Sequence, residues 1–426
     1  MSKPDLTSAN PHYVENVMAL TKTKEVVASE DVFDAKGVKL IAKGAKIDEG
    51  MHERLVRFKL RKPLESSLGV EGGVNADSLV REAESLLADM QPLAALVKSS
   101  NAEAKSLSIL KAVRLDGVST MMLTMEEGAG HGALRHSVLA TLTALAMGIK
   151  LNLNDSTLSS LAMAGILHDV GELYVSPEFR RPTRPLTPEE WKHIAAHPRI
   201  GQLVLEETTQ YPKEVSIAIS EHHERSNGFG YPRRVNEKSL SPLGKILMVS
   251  EVLCGIFPKG NYALERAGMA FKLISGEYPA ALVSLISSVP PGDEQGPRPT
   301  VEDGKAAQLI ARSQRIEQLI NASLTPTEYF PDELKAVPAV AALVGQVRER
   351  LLMLRHAANS TGLFSCNDME LSPEDAAEIA LELETIIYEL EWRLRELARL
   401  VTLSILSMTA EQKQPFEIII TCLVSE

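Results

Sequence analysis

The chain has 426 residues, 44% apolar and 24% charged, which is long for one ordinary domain and too apolar for a disordered one. With 45 basic against 56 acidic residues it carries a formal charge of −11, and only 4% of its residues are aromatic. Such a chain lacks the basic face and the stacking rings that sequence-blind nucleic-acid binding needs, so no direct DNA binding is expected. The first twenty residues have no apolar signal core, and no apolar run approaches the length of a membrane span. The cysteines, Cys254, Cys366 and Cys422, are odd in number and far apart. Together these features predict a cytoplasmic protein without membrane binding.

In chain order, residues 26–68 carry short β-prone runs around a hairpin-type turn at Asp34-Ala35-Lys36-Gly37. The glycine-rich segment 69–75 reads as a linker, giving a small β-rich N-terminal domain over 1–75. From Ala76, apolar residues recur every three or four positions and predict a helical domain over 76–290. Thr187-Pro188-Glu189-Glu190 reads as a helix start, with Thr187 as N-cap and Glu190 reaching back. The proline-rich stretch 287–300 marks a boundary, and 291–426 forms a C-terminal helical domain. There, Ser372-Pro373-Glu374-Asp375 opens a long helix with Ile379, Leu383, Ile386, Leu390, Leu394, Leu397 and Val401 on one stripe. A bundle core is the preferred explanation; a coiled-coil seam making a homodimer is the alternative. The fold class expected is mainly α.

Seven of the ten histidines, His131, His136, His168, His193, His197, His222 and His223, fall between positions 131 and 223. His168 and Asp169 end an apolar helical run, where burying an ionisable pair is costly without a counter-charge, and a cation supplies one. His193 lies four residues before His197 and so is expected on the same helix face, solvent-facing or beside the site. Imidazole and carboxylate donors without paired cysteines suit Fe, Mn, Zn or Ni rather than a structural zinc. Helices that converge such groups into one interior build metal sites.

The series Arg135-His136-Ser137, HDVG (168–171), His197-Pro198 and HHERSNGFGYP (222–232) resembles the HD-GYP branch of the HD metal-dependent phosphohydrolases. The resemblance covers roughly residues 100–285, and the N-terminal segment is similar to the small domain that often precedes HD-GYP modules. It implies an all-helical HD-type fold, two divalent metal ions with Fe or Mn favoured over Zn, Ni or Mg, and a cyclic dinucleotide as substrate. His136, His168 and Asp169 match the ligands of a first metal. Asp169, His197, His222 and His223 match those of a second, with Asp169 bridging, so His168 and Asp169 are the expected catalytic pair. Gly228, Gly230, Tyr231 and Pro232 match the segment beside the substrate.

Several positions depart from the family pattern, and the second aspartate of its VAD-x-x-DA segment is missing from the matching run Val249–Gly255. Glu251 stands where the family has its closing metal aspartate, and Glu172 stands where it has a lysine facing the substrate phosphate. Asn227 replaces the aspartate before GFGYP. Gly132 replaces the glutamate that trinuclear members carry one turn before the first histidine, although Glu126, Glu127 and His131 are near in sequence. Arg180, Arg181, Arg184 and Arg199 offer guanidinium groups around these motifs, with loop solvation the preferred explanation for the first three. The resemblance implies hydrolysis of cyclic di-GMP to pGpG or GMP. The substitutions admit a non-catalytic module that senses nucleotide or binds protein.

Overall fold

A computed structural model describes residues 6–128, 130, 132–180, 184, 186–259, 262–290, 305–364 and 373–424. His131, Arg181 and Cys366 lie outside them, as do residues 291–304, which include most of the proline-rich boundary 287–300. The chain is mainly α, as its periodicity predicts, and divides into two compact units.

The first unit holds the described residues of Met1–Pro185, His193–Leu264 and Gly276–Asp293. At its centre runs the helix Ala133–Lys150, whose residues Ser137 to Gly148 are all buried. A helix buried all round must be sheathed by others. Asp155–Leu167 and Pro242–Ile256 pack on it, and Lys213–Glu221 packs on both of these and on His197–Thr208. Side-chain caps start two of these helices. Asn154 accepts from the Thr157 N–H at 2.9 Å, and Ser241 Oγ from the Gly244 N–H at 3.0 Å. The capping box at Thr187 is present: Glu190 Oε2 accepts from Thr187 N at 2.8 Å and Thr187 Oγ1 from Glu190 N at 3.2 Å.

The N-terminal segment belongs to this same unit. A helix, Pro11–Thr21, precedes two small antiparallel pairs, Val26–Ala28 with Leu68–Val70 and Val32–Phe33 with Lys39–Ile41. The Asp34 carboxylate accepts from Lys36 N and Val38 N, forming the expected hairpin turn. The glycine-rich stretch is no linker. Leu68–Val70 is a strand, Val74 is buried, and the Val74 N–H donates to Thr124 Oγ1 at 2.9 Å. A Cβ at Gly73 would lie 2.8 Å from both Thr120 and Thr124. The glycine therefore serves close packing against the helix Gly117–Gly128, and the segment is held in place by it.

The second unit holds the described residues of Leu186–Lys192, Glu265–Ser275 and Glu294–Glu426. Its helices Lys305–Glu328, Pro338–Ser360 and Ala410–Val424 pack on the 33-residue helix Pro373–Ile405. Ile386, Leu390, Leu394, Leu397 and Val401 are buried inside this bundle, and Ile379 and Leu383 of the same stripe are half-buried. No single helix among the described residues is long and apolar enough to cross a membrane.

Candidate metal centre

Three histidines are aimed by one local device. His168 and His222 cap the C-terminal ends of Asp155–Leu167 and Lys213–Glu221, where the last carbonyls have no helical partner. Each ring places Nδ1 on the carbonyl three residues back, Gly165 O at 2.8 Å and Ile219 O at 2.6 Å. His197 arrives by another route. Pro198 has no N–H to give the Ile194 carbonyl, and His197 Nδ1 takes that oxygen at 2.7 Å. A carbonyl can only accept, so the proton of each neutral ring sits on Nδ1 and Nε2 is left as a bare lone pair.

Those lone pairs converge. His197 Nε2 and His222 Nε2 are 3.0 Å apart, and His136 Nε2 and His168 Nε2 are 3.2 Å apart. Two acceptors at this range repel unless a proton or a cation lies between them. Asp169 faces both pairs. Its Oδ2 is 3.1 Å from His168 Nε2 and 3.4 Å from His136 Nε2, and its Oδ1 is 3.3 Å from His197 Nε2 and 3.6 Å from His222 Nε2. Glu251 Oε2 is 3.2 Å from His136 Nε2 and 3.4 Å from His168 Nε2, yet is buried without a properly directed hydrogen bond. The donor atoms thus form two groups, His136 with His168 and Glu251, and Asp169 with His197, His222 and His223; within each, all lie within 4.8 Å of one another.

The electrostatics follow from burial and mutual charge. Burial alone would lower His168, but the Asp169 and Glu251 carboxylates push it up to about 10. His222 goes the other way, to about 4, because burial and the neighbouring imidazoles His168 and His197 disfavour its charge. Against burial, the surrounding imidazoles hold Asp169 and Glu251 well below the ordinary carboxylate range. The carboxylates likewise raise His136 and His197 against burial, while burial and His222 lower His223. Protons thus occupy part of the space between negative oxygens and ring nitrogens, and a divalent cation displacing them fits this donor set. Cys254 takes no part. Burial, then Glu251 and Asp169, hold its thiol well above its usual value, so it stays protonated.

The structure brings together every predicted metal ligand, Glu251 included, and arranges the remaining site residues around them. Glu172 lies beside the clusters in the short turn Val170–Tyr174, its carboxyl raised by burial and by Asp169. Gly228 adopts φ +80°. The Tyr231 ring stacks on His223 at 4.6 Å between centroids, and Tyr231 N donates to His223 O at 3.0 Å. His193 does not share a face with His197. The helix Pro188–Ala195 ends before Ala196, His197 opens the next one, and His193 is exposed, stacked on Phe179.

Two residues given no role from sequence hold the loop after the histidine pair. Glu224 is fully buried and accepts from the N–H groups of Arg233 at 2.7 Å and Val235 at 3.2 Å. Glu221 accepts from Arg233 Nη2 at 2.6 Å and from Ser241 N at 2.9 Å, tying that loop to the helix that carries Glu251. A Cβ at Gly230 would overlap the Glu224 backbone, which explains a glycine there. The sequence signal for this pair is two acids flanking His222-His223 after an apolar run.

Glu126 is the other such group. It comes from the helix Gly117–Gly128, its Oε2 is buried without a hydrogen bond, and burial followed by Asp169 pushes it up to about 8. In the metal-free protein this acid keeps its proton where the unfolded chain has lost it. Its contribution therefore destabilises the fold progressively as pH rises from about 4.5 to about 8, and is constant above that. Glu126→Gln is expected to be more stable than the parent at pH 8 and little different at pH 4.5, measured by urea denaturation with chelator present. Parallel stability profiles for the two proteins would contradict this.

A helical domain that converges histidines and carboxylates into paired donor clusters defines a candidate dinuclear metal site. The chain matches the HD domain family over residues 118–270. It is 30% identical over 117 residues to a cyclic di-GMP phosphodiesterase of Pseudomonas aeruginosa, a match covering 28% of each chain. It is 30% identical over 141 residues to 3'3'-cGAMP-specific phosphodiesterase 3 of Vibrio cholerae, covering 33% of this chain and 29% of that one. A cyclic di-GMP phosphodiesterase of Thermotoga maritima is 26% identical over 133 residues, covering 30% of this chain and 36% of its own. The chain thus spans about a third of the length of the relatives it matches.

Proposed function

We propose that this chain is a metal-dependent phosphodiesterase that hydrolyses a 3',3'-cyclic dinucleotide, cyclic di-GMP first, to pGpG or GMP. The observation that carries the reading is the pair of Nε2 lone pairs at 3.0 Å on His197 and His222, both with Nδ1 already committed, facing one oxygen of Asp169. His136, His168, Glu251 and the other Asp169 oxygen would hold one ion, and His197, His222, His223 and Asp169 the second. Divalent ions bound there supply Lewis acidity toward a phosphoryl oxygen and a water of lowered pKa.

The residues of the chain do the rest. Asp169 fixes the two ligand groups relative to each other. Tyr231, stacked on His223 and partly exposed, offers a ring and a hydroxyl beside the clusters, and Glu221 and Glu224 fix the loop that carries it. The site reaches solvent at His136, Asp169, Glu251 and His223, all partly exposed, so substrate would enter over these residues.

The test is metal analysis of purified protein followed by turnover of cyclic di-GMP and 3',3'-cGAMP under reducing conditions with Fe or Mn supplied. Stoichiometric metal with release of linear dinucleotide is the expected result. Glu172 beside Asp169 favours the second reading, a module that binds nucleotide without cutting it. Tight nucleotide binding without product would select that reading, and protein without metal would exclude both.

A further inference from the structure

The turn Val170–Tyr174 meets the candidate metal centre at one end and the N-terminal segment at the other. Asp169 opens it, and Asp169 O accepts from Glu172 N at 2.8 Å. Gly171 lies so close to the start of His197–Thr208 that a Cβ there would overlap the His197 carbonyl oxygen. A shift of this turn therefore moves Asp169 by chain continuity and His197 by contact.

The far end of the turn is held by polar contacts from the N-terminal segment. On the helix Pro11–Thr21, Tyr13, Val17 and Leu20 are buried, and half-buried Asn16 stands at the margin of that face. Asn16 Nδ2 donates to Leu173 O at 2.9 Å and to His12 O at 2.9 Å, and its Oδ1 accepts from Arg180 Nη2 at 3.0 Å. Both donor hydrogens and the acceptor are engaged, so the amide has one orientation and fixes the Leu173 peptide. One residue on, the Tyr174 hydroxyl donates to Glu65 Oε1 at 2.7 Å, and the Tyr174 ring stacks on Tyr13 with centroids 5.1 Å apart. Glu65 comes from the short turn Leu64–Ser67, which leads into the strand Leu68–Val70.

As a source of stability alone, this interior is costly. Glu65 Oε2 and the Tyr13 hydroxyl are buried without a hydrogen bond. Apolar side chains of similar shape would fill the space without that desolvation cost. A hydrogen bond supplies direction, which an apolar contact does not. Direction is what a turn bearing a metal ligand requires, because ligand groups must be held to a fraction of an ångström by the residues behind them.

We propose that Asn16, Glu65 and Tyr174 are positioning residues of the metal centre, holding the turn that carries Asp169 and supports His197. The N-terminal segment is then part of the ligand framework. This rests on the metal-binding reading above and extends it to residues that touch neither ion nor substrate.

The experiment is a cycle of parent, Glu65→Met, Tyr174→Phe and the double variant, with Asn16→Asp alongside. Melting temperature and amide exchange at Glu172 and Val175 are read on the chelated proteins, and Mn affinity by calorimetry well below the lowest melting temperature. Each single variant of the cycle leaves one buried polar group without its partner and is expected to melt lower. The double variant removes both groups and should recover most of that loss. Mn affinity is expected to behave differently, falling about tenfold in both single variants and staying low in the double. Asn16→Asp keeps the side-chain shape and the acceptor for Arg180 but has no hydrogen for Leu173 O. It is expected to lose Mn affinity to a similar extent, with faster exchange at Glu172 and Val175. Parental Mn affinity in the double variant, or Mn affinity that follows melting temperature through the series, would overturn the proposal. None of these readouts uses turnover, so failure of the phosphodiesterase reading would not pass for failure of this one. A parent that takes up no Mn overturns both.

Discussion

Asp169→Asn is expected to leave the protein folded and to strip it of metal. The substitution keeps shape and removes charge. Asp169 is the residue common to both ligand groups, with one oxygen toward His136 and His168 and the other toward His197 and His222. Losing its charge leaves the second group without the one carboxylate that lies within its donor cluster, since Glu251 belongs to the first. An amide nitrogen turned toward either side would also present donor hydrogens to an incoming cation. Metal content is expected to fall below one-tenth of parent and hydrolysis by about a thousandfold or more. Elemental analysis with a turnover assay checks this, and full metal occupancy in the variant would sink the bridging role. The unfolding midpoint of the chelated protein should fall at neutral pH, because the imidazoles that hold Asp169 ionised lose their counter-charge, while the matched shape opens no cavity and keeps the chain folded.

The second large effect comes from a methyl group. A Cβ on Gly171 would overlap the His197 carbonyl oxygen and press on Gly201 N at 2.8 Å. The turn Val170–Tyr174 therefore lies backbone against backbone on the start of His197–Thr208. Gly171→Ala must push these two segments apart. The displaced segment carries His197, whose Nε2 has to stay near His222 and Asp169. The expected result is a destabilisation of about 1–3 kcal/mol or more from overpacking, together with weaker metal retention in the His197 group. Gly255→Ala is the control. It sits on the helix that carries Glu251, its added Cβ meets nothing within 4 Å, and it should be neutral or stabilising by up to ~1 kcal/mol. Thermal or urea unfolding of the two variants measures the contrast. A Gly171→Ala protein with parental stability and metal content would show that the two segments can separate freely.

The glycine also explains why Glu172 cannot continue the helix that ends at His168. Beyond Asp169 the chain tightens into a short 3₁₀ turn, with Glu172 N donating to Asp169 O at 2.8 Å. Glu172 thereby sits beside Asp169 without joining a ligand group, and the segment continues to Tyr174 and Arg180, where the N-terminal helix grips it.

Short-range chemistry made much of this protein legible from its sequence. Helix starts at Asn154, Thr187 and Ser241 depend on side chains a few residues from the amides they cap, so local sequence specifies them. The histidine motifs are legible for a related reason. A ring at a helix end, or before a proline that frees a carbonyl, is aimed by its own neighbours, as His168, His197 and His222 are. Sequence alone therefore determines a mainly helical chain with imidazoles presented at helix ends. It does not determine which of those ends meet. Only the tertiary packing brings Glu251 to within 3.4 Å of His136 and His168, from a position more than eighty residues away in the chain. Packing likewise turned the glycine-rich 69–75 from an expected linker into a strand and a close-packed turn, because Gly73 has a helix to lie against. It separated His193 from His197 at the Ala196 break, and it buried most of the long apolar stripe inside one bundle. Each of these outcomes depends on surfaces from distant parts of the chain burying one another. Periodicity shows that a face will be buried, but its partner is chosen by the shape and volume of side chains far away in sequence.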